Sequence, residues 1–310
     1  MNQGLITPPG FSVIDRPAWA ALGPGRPPDA TAARAAAFPP ADSPVSDREW
    51  EEVYVPLGHV VGLHVDAHGR LGARLSAVGL GARTGPLVIG LAGSVAAGKS
   101  TFATALAALL SARPDRPSVE VLSTDGFLLA NRVLAPRGLL ARKGFPETYD
   151  HELVARVLGA LAAGAPEVAV PRYSHDVYDV AGDPQVLSRP DIVILEGVNT
   201  LAPGRPGAPV EPADFCALRI YLDAAEPDLR AWYVERFVAL IDEARGRPTS
   251  FFAQWASLDA SAARALAASV WEQVNLVNLT EHILPTRWRA DLVLRKDADH
   301  AVAEVAVRHR

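Results

Sequence analysis

The 310-residue chain has one cysteine, Cys216, one methionine and no long uninterrupted hydrophobic run. A single thiol excludes an intrachain disulfide and a cysteine-rich metal site. No apolar stretch has the length that a transmembrane helix requires, and the first residues lack the basic and apolar regions of a secretory signal. The net charge of −5 is unlike that of a general nucleic-acid-binding protein. We therefore expect a cytoplasmic protein that binds neither membranes nor nucleic acids.

Only three lysines occur, and one of them, Lys99, completes the pattern G-x-x-x-x-G-K-[ST] over residues 93–100. An apolar run at residues 87–92 precedes this pattern, and apolar residues at helical spacing follow it from Phe102 to Leu110. The motif therefore falls on a strand-to-helix turn, where loop N–H groups and the helix N-terminus bind phosphate. Residue frequencies produce this pattern by chance in roughly two of a thousand such chains, so it predicts a nucleotide-binding P-loop.

The chemistry of a P-loop assigns roles to its residues. The ammonium of Lys99 would reach the β- and γ-phosphates of a bound nucleotide, and the Ser100 hydroxyl would bind Mg²⁺. The predicted nucleotide-binding residues are Gly93, Ser94, Val95, Ala96, Ala97, Gly98, Lys99, Ser100 and Thr101.

Four further apolar runs predict strands at residues 119–122, 191–197, 218–223 and 291–295. They alternate with helical patterns, which predicts an α/β fold of the P-loop NTPase type, a doubly wound, mainly parallel sheet with helices on both faces. Asp125 follows the second strand and Glu196 ends the third, at the sheet edge where such folds bind ligands. Glu196 would face Mg²⁺ in the manner of a Walker B acid. An Asp before Gly, as at Asp125, is also typical of a turn.

Composition divides the chain near residue 45. Nine of the 26 prolines lie in residues 1–45, so we expect a Pro/Ala-rich, irregular arm there and a single P-loop domain over residues 46–310. Residues 46–49 form a capping-box pattern at a helix start, and Pro56 should break or kink that helix. Three histidines would permit a metal site, although we favour solvated side chains because no fourth ligand is evident: His59, His64 and His68.

Polar and aromatic side chains are concentrated in other stretches. The loop at residues 171–179 has two tyrosines, a histidine and acids, which could line a polar pocket or form an ordinary aromatic loop. In the helix predicted over residues 226–244, Arg236 lies three residues from Tyr233, so both side chains can point to the same side. Arg236 could then reach a transferring phosphate, or it could pair only with Glu235 or a surface acid.

Two more stretches leave two interpretations each, and a third contains a polar residue in apolar surroundings. The basic run at residues 132–143 could bind anions or be solvated surface. The aromatic residues at 251–255 could be core or a lid over a small substrate. Asn275 is polar within an apolar helix, and a buried asparagine needs hydrogen-bond partners.

Together these stretches resemble type I pantothenate kinase, the bacterial enzyme of coenzyme A synthesis. Their motifs follow the family's order over residues 46–310, and the combination is far more specific than the P-loop alone. The motifs are GSVAAGKS (93–100), STDGF (123–127), RKGFPETYD (142–150), YSHDVYD (173–179), ILEG (194–197), WYVERF (232–237), VNLVNL (274–279), ILPTR (283–287) and HAVAEV (300–305).

The resemblance implies a P-loop kinase that transfers the γ-phosphoryl of ATP, with Mg²⁺, to the primary hydroxyl of pantothenate. It also implies feedback inhibition by coenzyme A and a homodimer. Lys99, Asp125 and Arg236 match catalytic residues, and His300 lies near the family's adenine site. The residues that match the pantothenate pocket and its aromatic cover are Asp125, Tyr173, His175, Tyr178, Tyr233, Arg236, Phe252, Trp255 and Asn275.

One departure concerns adenine. The family has an asparagine in its N-terminal segment that helps to hold this base, whereas no asparagine occurs here between Asn2 and Asn131. Three alternatives stay open. A uridine-kinase-like or phosphoribulokinase-like enzyme would share the P-loop and the acid after the second strand, but not the loops at 142–150 and 173–179. A GTPase switch would carry an N-K-x-D motif, which is absent. A homologue that binds coenzyme A or ATP without catalysis would not be expected to fill every catalytic position.

Overall fold

A computed structural model of the protein describes residues 7–23, 29–39, 43–81, 84–204 and 210–309. Its strands are β1 (Phe11–Asp15), β2 (Leu87–Gly93), β3 (Val119–Ser123), β4 (Val168–Val170), β5 (Tyr173–Ser174), β6 (Asp179–Val180), β7 (Gln185–Leu187), β8 (Ile192–Glu196), β9 (Leu218–Ala224), β10 (Leu292–Lys296) and β11 (Val302–Arg308). Its α-helices are α1 (Arg16–Ala20), α2 (Ala30–Ala37), α3 (Asp47–Glu49), α4 (Val55–Ala77), α5 (Lys99–Ser111), α6 (Asn131–Leu134), α7 (His151–Ala162), α8 (Pro212–Phe215), α9 (Glu226–Ala244), α10 (Ala260–Val270) and α11 (Leu276–Asn278).

Within these ranges, the main sheet has seven strands in the spatial order β1-β11-β10-β9-β2-β8-β3. The five strands from β10 to β3 run parallel, and β11 and β1 extend the sheet in antiparallel fashion. The five predicted strands are confirmed as β2, β3, β8, β9 and β10, with bounds within one residue of the prediction. The sequence analysis missed β1 and β11, which form one edge of the sheet.

Helices cover both faces of this sheet. On one face, Ile89 and Leu91 of β2 belong to the same hydrophobic cluster as Phe102 of α5. On the other face, Val88 belongs to a cluster with Leu158 of α7. Successive strand residues point to opposite faces, so β2 supplies side chains to both layers, and all seven of its residues are buried. The predicted doubly wound α/β fold is confirmed.

The N-terminal residues pack against the same core. Strand β1 pairs with β11, and Trp19 of α1 is 1% exposed, with its indole N–H donating to the Val53 carbonyl at 3.2 Å. The prediction of an irregular arm is therefore wrong for residues 11–20 and 30–37, because β1 completes an edge and Trp19 fills the core. Of residues 1–45, the segments 1–6, 24–28 and 40–42 lie outside the described residues.

The predicted helix after residue 46 begins as expected, since the Ser46 hydroxyl accepts from the Glu49 N–H at 3.1 Å. Pro56 does not end this helix. The chain passes from α3 through a π-helical turn, Trp50–Tyr54, into α4, where Pro56 is the second residue. The wider π turn accommodates a residue that cannot donate a backbone hydrogen bond.

Two kinds of feature are not found in the described residues, namely metal-binding clusters and membrane-spanning helices. In the described parts of the chain, no three or more His, Cys, Asp or Glu side chains are grouped so that they could hold a metal ion. The helices found over the same ranges include none with both the length and the apolar character needed to cross a membrane.

Candidate active site

The P-loop joins β2 to α5, as the motif predicted. Gly93 ends β2 so close to β9 that an added Cβ would lie 2.6 Å from the Leu222 carbonyl oxygen. Gly98 has a φ of +87° and directly precedes α5, a conformation that favours glycine. Both glycines of the pattern are therefore required by geometry, one by close approach and the other by its backbone angle.

Lys99 and Ser100 meet the acid of β8 at this loop. The Lys99 ammonium donates to the Ser94 carbonyl at 2.8 Å, and the Ser100 hydroxyl donates to Glu196 Oε1 at 3.3 Å. Burial lowers the pKa of Lys99, while the charges of Glu196 and Asp125 oppose this shift. Burial raises the pKa of Glu196, and the Lys99 charge opposes that shift. These mutual effects place Lys99, Glu196 and Asp125 in one electrostatic site.

The oxygens of Ser100 and Glu196 fit the chemistry of Mg²⁺. This ion prefers hard oxygen ligands, and proteins commonly supply only one or two of them while substrate phosphates and water supply the others. The 3.3 Å contact brings a hydroxyl and a carboxylate oxygen to one point at the end of β2 and β8. The two predicted metal ligands therefore lie together.

Asp125 acts electrostatically on both the P-loop and the polar loop at residues 171–179. It lies in a 3₁₀ turn, Thr124–Phe127, directly after β3. The preceding Thr124 hydroxyl donates to Asn199 Oδ1 at 2.7 Å, which ties this turn to the chain after β8. The negative charge of Asp125 acts on the pKa of both Lys99 and His175.

The loop at 171–179 is a small hairpin made by β5 and β6. The ring of Tyr173 lies 5.1 Å from that of His175 and 6.0 Å from that of Tyr178, measured between centroids. His175 is exposed as a residue, but partial burial of its ring lowers its pKa, as do Arg236 and Lys99, whereas Asp125 raises it. The charge of Asp125 thus acts on Tyr173, His175 and Tyr178, and that of Lys99 on His175. The acids of the loop pair elsewhere, Asp176 with Arg247 and Asp179 with Lys143.

Helix α9 brings Tyr233 and Arg236 to the same site. Arg236 is exposed and its charge acts on both Lys99 and His175. The alternative in which Arg236 pairs with Glu235 is wrong, because Glu235 accepts from Arg264 at 2.5 Å.

Asn275 lies beside Tyr233 of α9. It opposes the burial that raises the pKa of this tyrosine to about 12. Asn275 ends a π-helical turn, Trp271–Asn275, a type of irregularity that is frequent at functional sites. The turn lies within the apolar helix that the sequence suggested, between α10 and α11, and sets Asn275 against α9.

The aromatic stretch, Phe251–Trp255, divides into core and pocket wall. Phe252 is 6% exposed, and the rings of Phe252 and Trp255 each lie 5.6 Å from that of Phe237. Phe251, which the sequence analysis did not select, instead stacks on Tyr178 at 4.4 Å. Phe252 and Trp255, the two predicted pocket residues, therefore anchor this stretch to α9. Phe251 contacts the β5–β6 hairpin instead.

His300 lies at the turn between β10 and β11, with a φ of +67°. Its ring stacks on Trp232 at 3.8 Å. Burial and the nearby charge of Lys296 lower its pKa. Lys296 also hydrogen-bonds the P-loop at the Ala97 carbonyl, so the His300 turn adjoins the phosphate-binding loop.

Lys143 is a second site residue that the sequence analysis did not select. It is 8% exposed, and its ammonium donates to Asn131 Oδ1 at 2.7 Å and to the Tyr178 carbonyl at 2.6 Å. Burial lowers its pKa, against the charges of Asp179 and Asp125. Solvated surface is therefore the wrong interpretation for this member of the basic run. Its sequence signals were its place in this basic run and in the motif RKGFPETYD, at residues 142–150.

Comparisons with known proteins find kinases. The model of the phosphoribulokinase/uridine kinase family matches residues 88–247. A pantothenate kinase of Sorangium cellulosum is 49% identical over 259 residues, which cover 83% of this chain and 84% of that protein. A pantothenate kinase of Rhodopseudomonas palustris is 43% identical over 305 residues, 96% of each chain.

Two solved structures share the fold. A candidate fructose transport system kinase from Silicibacter sp. TM1040 is 30% identical, with a TM-score of 0.51 over 63% of this chain and 84% of its own. YFH7 from Saccharomyces cerevisiae, a candidate P-loop kinase, is 16% identical, with a TM-score of 0.52 over 77% of this chain and 99% of its own, and it supports the fold alone. Because the curated relatives match most of its length, the chain belongs to the phosphoribulokinase/uridine kinase family of P-loop kinases and, among them, to the pantothenate kinases.

Proposed function

We propose that this protein transfers the γ-phosphoryl group of ATP to the primary hydroxyl of pantothenate, giving 4′-phosphopantothenate, the first step of coenzyme A biosynthesis. The observation that carries the proposal is that the charge of Asp125 acts both on Lys99 of the P-loop and on the hairpin residues Tyr173, His175 and Tyr178. A phosphate donor at the loop and a hydroxylated acceptor at the hairpin would meet at this carboxylate.

The residues supply the charge and alignment that phosphoryl transfer needs. Asp125 accepts the proton of the attacking hydroxyl as its oxygen bonds to the γ-phosphorus, and the bond from that phosphorus to the ADP oxygen breaks. Lys99 and Arg236 offset the negative charge on the transferring group. Ser100 and Glu196 would hold Mg²⁺, which shields the charge of the ATP phosphates when it is bound.

Pantothenate suits the acceptor side because it carries hydroxyls, an amide and a carboxylate. Tyr173, His175 and Tyr178 offer donors and acceptors for these groups, as do the neighbouring side chains of Tyr233 and Asn275. Phe252 and Trp255 would keep the aromatic cover in place. For the nucleotide base, the exposed face near His300 and Trp232 is the candidate platform.

We extend the proposal to inhibition by coenzyme A, because its phosphates would compete with those of ATP for the P-loop. Its pantothenate-derived arm would extend toward the hairpin. The resemblance to the bacterial enzymes also supports a homodimer in the cytoplasm.

Coupled measurement of ADP formation tests the reaction, with pantothenate, uridine and ribulose 5-phosphate as separate acceptors. We expect Mg²⁺-dependent ADP formation with pantothenate above the rate without an acceptor. Turnover with uridine or the sugar phosphate, and none with pantothenate, would assign the protein to another branch of the family. ADP binding without turnover on any acceptor would indicate a regulator.

A further inference from the structure

Lys296 lies outside every predicted site motif, yet it contacts the P-loop. It is the last residue of β10, and its ammonium donates a hydrogen bond to the Ala97 carbonyl at 3.1 Å. A Cβ added at Gly98 would lie 3.0 Å from the same nitrogen. The lysine therefore adjoins the Ala97–Gly98 peptide, immediately before the residue that begins α5.

The geometry of a peptide bond gives this contact a consequence. No cis peptide bond occurs in the described residues, so the C=O of Ala97 and the N–H of Gly98 are on opposite sides of one planar unit. A carbonyl held at Lys296 thus directs the Gly98 N–H away from Lys296. A P-loop binds phosphate through N–H groups that share a common direction, so the orientation of this peptide affects phosphate binding.

A buried acid, Glu49, lies near Lys296. Glu49 is 8% exposed, and its hydrogen-bond partner Val302 pairs with Lys296 between β10 and β11. Its Oε1 accepts from the Val302 N–H at 2.9 Å, and its Oε2 accepts from Arg16 at 2.6 Å. Burial lowers the pKa of Lys296, and the charge of Glu49 opposes that shift. The ring of Trp232, 5.8 Å from the ammonium, also faces the charge.

We propose that Lys296 is a positioning residue of the P-loop, and that Glu49, itself held by Arg16 of the N-terminal segment, keeps the Lys296 ammonium at the Ala97 carbonyl. The inference rests on the proposed binding of a nucleotide at this loop and adds a support for it from β10 and from the N-terminal segment. The support requires a cationic donor at position 296 and an acid at position 49.

Lys296→Met removes the donor and keeps much of the side-chain volume, whereas Lys296→Arg keeps a donor and the charge. Arg295→Met is the matched control, because Arg295 is the adjacent residue of β10 and pairs with Glu304 at 3.2 Å on the opposite face. The measurements are the Kd of ADP with Mg²⁺ by titration calorimetry and the steady-state KM values of both substrates.

We expect Lys296→Met to weaken ADP binding and to raise the KM for ATP by about tenfold or more, the loss typical of one hydrogen bond to a charged group. The KM for pantothenate should change by less than about twofold. Lys296→Arg should recover most of the ADP affinity, and Arg295→Met should bind ADP as the unmodified protein does.

Glu49→Gln tests the second half of the proposal. It should weaken ADP binding less than Lys296→Met does, and the double variant should bind ADP about as weakly as Lys296→Met alone, since both changes act through one contact. If the losses of ADP affinity add in the double variant, Glu49 does not act through the contact between Lys296 and the P-loop. That outcome would overturn the second half of the proposal.

If the unmodified protein binds ADP and the Lys296→Met variant binds it equally well, the inference is overturned and the proposed function stands. Equal loss of affinity for ATP and pantothenate in Lys296→Met would also overturn it, because a general structural defect would explain that result. Failure of the unmodified protein to bind ADP would overturn both.

Discussion

Variants of Lys99 and Asp125 test two different parts of the proposed reaction. Lys99 tests charge neutralisation, and Asp125 tests the alignment of the attacking hydroxyl. Lys99→Ala should reduce phosphoryl transfer by about 100-fold or more, because a preorganised charge is lost where negative charge develops. Asp125→Asn should lower kcat more than it raises the KM for ATP, since the carboxylate acts on the hydroxyl in the transition state. Steady-state kinetics with both substrates checks these outcomes. Near-normal kcat in Asp125→Asn would make Asp125 only a turn former.

His175 is the residue that tests the proposed inhibition by coenzyme A. Its ring lies beside Tyr173 and is influenced by the charges of Lys99, Asp125 and Arg236, so it could contact an inhibitor phosphate, more strongly when protonated. If it does, His175→Gln and His175→Ala should weaken competitive inhibition against ATP while the KM for ATP changes little.

The contrasting result for His175 is a rise in the KM for pantothenate with an unchanged inhibition constant. That pattern would assign the ring to ordering the β5–β6 hairpin. Inhibition that is not competitive with ATP in the unmodified protein would count against a shared site for the two ligands.

At the scale of elements, the junction of β2 with the P-loop depends on how closely β9 passes Gly93. Gly93→Ala would place a Cβ 2.6 Å from the Leu222 carbonyl oxygen, and we expect it to lower the free energy of unfolding by about 1–3 kcal/mol and to impair nucleotide binding. Gly159→Ala is the matched control, because Gly159 lies within α7 with open space around its Cα. That change should stabilise the helix by about 0.5–1 kcal/mol. Urea unfolding of both variants measures these changes in the free energy of unfolding. Equal stabilities of the two variants would mean that β9 shifts at little cost in free energy.

At the scale of the whole molecule, the N-terminal segment is an integral part of the core. Trp19 is 1% exposed, whereas Leu22, three residues later, is 45% exposed. Trp19→Ala should therefore lower the free energy of unfolding by about 3–5 kcal/mol, and Leu22→Ala should change it by no more than about 0.5 kcal/mol. Thermal and urea unfolding provide the comparison. A Trp19→Ala protein as stable as the unmodified one would restore the interpretation of this segment as a separate arm.

The amino-acid sequence by itself determined the P-loop, the five parallel strands and the placement of acids at two strand ends. These features depend on local patterns, since a buried parallel strand reads as an apolar run and a phosphate loop needs its glycines and lysine at fixed spacing. The resemblance also selected the hairpin, α9 and Asn275 as parts of one site.

Only the tertiary structure decided which of several similar side chains enter that site. Phe251 and Phe252 are adjacent in sequence, yet Phe252 packs in the core beside Phe237, whereas Phe251 stacks on Tyr178. The partners of Lys143 and Lys296 lie on other elements, at Tyr178 and Ala97. Strand β1 pairs with β11, almost the whole chain away. Such contacts arise from long-range packing, and no local pattern encodes the distance between residues that are far apart along the chain.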